Sequence, residues 1–148
     1  DRAEWIVQKV TEIGVDRIVP VVTERCVVRW EGERALSQVE RLRRIAREAA
    51  MQSRRVWLPI VEEVATLPAV LARPGAARAD FGGDWLASRP MLDVSLVVVG
   101  PEGGWSATER GLSGPCVRLG EHVLRTETAA VVAGCLLTHH RRVERAAH

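Results

Sequence analysis

The run Val94–Val99, four of whose residues are valine, is followed at once by Gly100-Pro101-Glu102-Gly103-Gly104. A short, branched, apolar run of this kind reads as a central parallel strand covered on both faces. The glycines then demand a tight turn, the first of them free to take a positive φ and the others open to close approach by a ligand. Further on, Leu119-Gly120-Glu121-His122-Val123-Leu124-Arg125-Thr126-Glu127-Thr128-Ala129 repeats the pattern of strand, turn and helix start. Two such loops at the carboxyl ends of neighbouring strands in an open sheet make a ligand crevice.

The periodicity around them predicts an α/β domain. Apolar residues at Ile6, Val10 and Ile13 give helical spacing over Ala3–Ile13, stopped by Gly14. Strands are expected at Arg17–Val22, Ile60–Val64, Arg78–Phe81 and Cys116–Leu119, with an extended piece at Cys26–Trp30. A long helix is expected over Leu36–Ser53, and a helix start at Thr66-Leu67-Pro68. Pro74–Ala77 reads as a loop and Gly82-Gly83-Asp84 as a third turn. Ser106-Ala107-Thr108-Glu109 has the form of a capping box. The last helix, Thr126–Arg142, is apolar on all sides over Ala129–Leu137 and so belongs in a core or an interface. Alternating strands and helices give a mostly parallel sheet with helices on both faces.

At 148 residues and 47% hydrophobic the chain is long enough for one domain with a real core. No apolar run approaches the length of a membrane span. Cys26, Cys116 and Cys135 are too far apart for a disulfide framework or a zinc motif, and no metal is expected; this usage fits the cytoplasm. His139-His140 point in different directions from one helix and read as a polar helix end. The net charge is only +2, yet of 21 basic residues Lys9 alone is lysine. Arginine suits phosphate forks and base stacking, which permits RNA as a partner without requiring it.

Familiar nucleotide motifs are absent: the glycine turn has neither Walker spacing nor that of a dinucleotide fingerprint. Four ordered blocks instead resemble the RsmE family of 16S rRNA uracil-N3 methyltransferases, within the SPOUT superfamily. They are Glu4–Val15 with Pro20–Arg25, then Glu48–Arg55, then Gly100–Gly104, then Leu119–Ala129. The resemblance implies S-adenosylmethionine as cofactor, a C-terminal trefoil knot, a homodimer, and 16S rRNA in the small ribosomal subunit as substrate. It would place the cofactor on three loops: Phe81–Trp85, Gly100–Gly104 and Leu119–Arg125. Gly100, Pro101, Glu102, Gly103, Leu119, Gly120, Val123 and Leu124 would then bind it, with Leu119, Val123 and Leu124 as an apolar slot for adenine. Glu102 would lie near the sulfonium or cap the helix that opens at Ser106.

For methyl transfer, uracil N3 must first lose its proton, and the negative charge that then spreads over the ring carbonyls is one a fixed guanidinium stabilises. Arg125 is the candidate, with a phosphate or helix-end contact as its alternative role. Glu127 either accepts the proton, holds Arg125, or merely suits the positive end of the helix. Arg25, Gln52 and Arg55 belong to the family blocks and are expected near RNA. The remaining arginines of Arg41–Arg47 read as a solvated face laced with Glu40 and Glu48. Two positions depart from the family pattern, with Cys26 where serine is usual and His122 where arginine is. The family's N-terminal RNA-binding β-barrel is also expected to lie outside these 148 residues, whose first residue is Asp1 rather than Met. A noncatalytic knotted RNA-binding module, or a SPOUT enzyme acting on another RNA, is the alternative function.

Overall fold

The computed structural model describes residues 2–26, 30–88 and 93–147. The extended piece expected at Cys26–Trp30 therefore lies largely outside the described residues. In chain order the elements are α1 (Arg2–Ile13), β1 (Arg17–Ile18), β2 (Val21–Val22), α2 (Gly32–Gln52), β3 (Ile60–Val61), β4 (Ala65–Thr66) and α3 (Leu67–Leu71). They continue with β5 (Ala76–Trp85), β6 (Leu96–Val98), α4 (Ala107–Arg110), β7 (Cys116–Arg118) and α5 (Thr126–Ala146).

All the strand pairs are parallel, as the alternation of strand and helix requires. β1 pairs with β3, β2 with β4, and β5 lies between β6 and β7. Two expectations are corrected here. The valine-rich run supplies β6, which flanks the three-stranded sheet instead of forming its centre. The central place goes to β5, which runs straight through the residues expected to be a loop and a turn. Gly82-Gly83 is thus strand. Between Ala79 and Asp84 the register with β7 shifts, and a Cβ on Gly83 would lie 2.5 Å from the main-chain carbon of Cys116 and the nitrogen of Val117. The glycine lets two backbones pass at a bulge; it does not reverse the chain.

Pro20 separates β1 from β2 within the run expected as one strand, since proline brings no N–H to the ladder. Three buried clusters hold the layers together. Val7, Leu42, Ala46 and Val61 join α1, α2 and β3. Leu67, Val70 and Leu71 of α3 pack with Val98 of β6 and with Trp105. Ala77, Leu86, Val94 and Val117 sit in the sheet layer, with Leu136 of α5 packed on them. Part of the apolar character of α5 is explained within the chain, because Ala133 and Gly134 are buried and Gly134 meets Val10, Ile13 and Val15.

Polar ties fix the edges. Arg78 is buried on β5 and donates to the carbonyls of Glu109 (2.8 Å), Arg110 (3.2 Å) and Leu112 (3.4 Å), closing the C-terminal end of α4. Glu62 accepts hydrogen bonds from Arg17 (2.6 Å) and Arg73 (2.9 Å), joining β1 to the connection before β5. The Arg73 and Arg17 hydrogen bonds hold its carboxyl below the ordinary value of 4.5. A depressed folded pKa means the contribution is present above the unfolded value and lost as pH falls through the folded one. Glu62→Gln is accordingly expected to flatten the acid limb of the stability curve below about pH 5. Urea denaturation across that range checks this; an unchanged acid limb would contradict it.

Candidate active site

A cleft of about 640 Å³ opens where the ends of β5, β6 and β7 meet the start of α5. Its walls are Ala79–Phe81, the turn after β6, and the segment between β7 and α5, with Arg2 of α1 at the margin. Each wall is pinned to the next. The buried Trp105 indole donates to the carbonyl of Ala79 (2.8 Å), tying the glycine turn to β5. Thr126 Oγ1 donates to the carbonyl of Gly100 (2.8 Å), tying the same turn to α5. A Cβ on Gly100 would stand 3.1 Å from Trp105 Cε2, so a side chain there would press on the indole. It is Gly104, at φ 66°, and not Gly100 that turns through the left-handed region.

The capping box forms as expected. Ser106 Oγ accepts from the Glu109 N–H (3.0 Å) and Glu109 Oε2 from the Ser106 N–H (2.8 Å). The buried Glu109 carboxylate also accepts the Glu24 N–H (2.8 Å), which draws the segment after β2 onto the turn. There Arg25 donates to the carbonyl of Gly103 (3.0 Å).

Of the residues expected to bind cofactor, Gly100, Pro101, Glu102, Leu119, Gly120, Val123 and Leu124 line the cleft, as do Arg125 and Glu127. Gly103 does not; it backs onto Arg25, whose Cβ would be 3.1 Å from an added side chain. Glu102 does not cap α4, since Glu109 does. It pairs with Arg2, whose hydrogen bond holds the Glu102 carboxyl below its ordinary range. Arg125 is the exposed residue immediately before α5. Glu127, in the first turn of that helix, keeps Oε2 buried without a hydrogen-bond partner. An orphaned carboxylate oxygen in a cleft wall is costly unless a ligand or water reaches it, and this fits a site for a cationic, amine-bearing molecule.

Gln52 is exposed at the end of α2, away from the cleft lining. The Arg55 side chain is only 10% exposed. Its guanidinium donates to the carbonyls of Val15 (2.8 Å) and Thr11 (3.1 Å), so geometry gives it a tie between α1 and the end of α2. On α2, Arg41 pairs with Glu4 of α1, and Arg43 pairs with Glu40 of the same helix and with Glu63 after β3. Among the described residues no group of three or more His, Cys, Asp or Glu is placed to hold a metal. Arg2, Trp105 and Arg118 also line the cleft and were not legible in the sequence: their neighbours come from distant segments.

Residues 1–138 match the RNA methyltransferase domain family. The chain belongs to that family. It is 35% identical over 150 residues to the ribosomal RNA small subunit methyltransferase E of Mycobacterium tuberculosis, covering 90% of this chain and 56% of that protein. To the Bacillus subtilis protein of the same name it is 32% identical, covering 90% and 59%. The chain thus spans little more than half the length of these curated relatives. Its fold superposes with a TM-score of 0.83 on the crystal structure of the Neisseria gonorrhoeae methyltransferase E bound to S-adenosyl methionine. That match has 32% identity and covers 93% of this chain and 61% of the other. The resemblance carried by the four sequence blocks is borne out.

Proposed function

We propose that this chain carries the methyl-transfer site of an S-adenosylmethionine-dependent enzyme that modifies a uridine N3 in 16S rRNA. The observation that carries the reading is the meeting of Gly100–Glu102 with Leu119–Glu127 in one cleft, within a fold shared with a cofactor-bound relative. When bound, the cofactor supplies the methyl group. Leu119, Val123 and Leu124 offer apolar surface for its adenine, and the main chain at Gly100 and Gly120 offers polar contacts. Glu127 Oε2, which has no hydrogen-bond partner, is suited to a hydrogen-bond-donating or cationic group beside the charge of Arg2.

The residues' remaining work is on the uracil. Its N3 proton must leave before N3 can attack, and Glu127, which shares the cleft with Arg125, is the proposed carboxylate to take it or to orient Arg125. The Arg125 guanidinium stabilises the charge that then spreads over the two ring carbonyls. Most of the barrier reduction comes from holding the ring in line for displacement.

Arg25 and Gln52 are proposed RNA contacts; Arg55 would support them by fixing the end of α2. The reading includes the superfamily's trefoil knot, a cytoplasmic location, and a homodimer that uses the outward side of α5 at Cys135, His139 and Val143. Sedimentation showing a monomer at micromolar concentration would remove the dimer. The activity itself is tested by incubating the protein with 16S rRNA and labelled S-adenosylmethionine, then mapping the methyl group. One N3-methyluridine is the expected product; methylation at another atom or in another RNA would overturn the assignment of substrate.

A further inference from the structure

Of the segment Phe81–Trp85, expected as a cofactor loop, only Phe81 lines the cleft; it is the chain's one phenylalanine and is 48% exposed on β5. Four residues along the same strand, Trp85 is 40% exposed. Across the ladder from Trp85, in register, stands Arg118 of β7. The Arg118 guanidinium carbon lies 4.3 Å from the Trp85 ring centroid and 5.2 Å from that of Phe81. Its Nε is buried and has no hydrogen-bond partner. Asp80 and Arg110, also in the cleft lining, pair with each other (3.0 Å), so Asp80 already has its arginine.

Both rings are large and apolar, and both are partly exposed on one strand. The guanidinium held against them is planar, cationic and left with an unsatisfied donor. Two partly exposed rings and a fixed positive charge suit an unpaired nucleobase: a ring face that Arg118 does not cover stacks on it, and the charge favours its phosphate. An acidic peptide would use the charge but leave the flat faces without a matching partner.

We propose that Phe81, Arg118 and Trp85 form a stacking platform for an unpaired base of the RNA strand, neighbouring the nucleotide presented to the cleft. This rests on the reading of the cleft as an RNA methyl-transfer site and adds to it where a flanking base is held. Stacking of this kind tolerates any base, so the platform contributes affinity and register more than sequence choice.

The test uses the 148-residue chain and fluorescein-labelled oligouridylate at low salt, read by anisotropy. Trp85→Leu is expected to weaken binding about tenfold, with the salt dependence unchanged because no ionic contact is lost. Arg118→Lys should weaken it too, since lysine keeps the charge but not the plane. Unlabelled oligouridylate should quench the fluorescence that the parent has and Trp85→Phe lacks. A Trp85→Leu chain that is folded and binds RNA within about twofold of the parent, or an absence of quenching at Trp85, would overturn the platform. S-adenosylmethionine titrated in parallel separates the two readings: retained cofactor binding with no RNA effect rejects the platform alone, while no cofactor binding by the parent rejects the cleft assignment beneath it.

Discussion

Replacing Arg125 with alanine is expected to lower methyl-transfer turnover by roughly 10²–10³, the usual cost of losing one donor to a developing anion. The residue lies where the apolar wall of Leu119, Val123 and Leu124 ends and α5 begins, in the same cleft as Glu127. Its charge acts chiefly when the uracil ring becomes anionic, so affinity for S-adenosylmethionine should change little. Lysine at this position should restore only part of the rate, because a point charge does not fork across two acceptors. Single-turnover methylation of 16S rRNA, beside a cofactor titration, separates the roles. Near-normal turnover would remove Arg125 from the chemistry, and equal losses in rate and cofactor affinity would make it a binding residue.

The second large effect is expected at Gly83. An alanine Cβ there would meet the main chain of Cys116 and Val117 at 2.5 Å, and a backbone contact has no flexible end to move aside. Gly83→Ala should therefore spread β5 from β7 and cost about 3 kcal/mol, the upper end of what overpacking usually costs. Gly82→Ala is the matched control: no atom lies within 4 Å of its Cβ position, and the change should stay within about 0.5 kcal/mol. Equal stability of the two variants in urea denaturation would show that the close crossing does not constrain the sheet.

The same pair of glycines marks where local reading of the sequence stops. Gly-Gly-Asp has the composition of a turn, but a bulge has the same composition, and only the partner strand distinguishes them. The edge place of β6 is hidden for a related reason: a valine-rich run suggests burial on both faces, yet of the three β6 residues only Val98 is buried, and Leu96 and Val97 are half-buried. The cleft lining is legible in the sequence where its residues are consecutive. Gly100–Glu102 and Leu119–Glu127 each form a cleft wall in one stretch, and the Ser106 and Glu109 cap is a local signal. Glu102 and Arg55 were read less well because their partners, Arg2 and the turn after α1, are distant in sequence. Arg118 had no local signal at all; its meaning comes from two rings on a neighbouring strand.

The cleft between the turn after β6 and the start of α5 is proposed to hold the cofactor. Calorimetric titration of S-adenosylmethionine into the purified chain tests it most directly, with Gly100→Val as the companion. In that variant the branched side chain presses on the Trp105 indole and displaces the turn that Thr126 secures. The account predicts saturable binding at one site per chain, lost in a Gly100→Val protein whose circular dichroism remains that of a folded domain. No binding by the parent, or unchanged affinity in the folded variant, would contradict it.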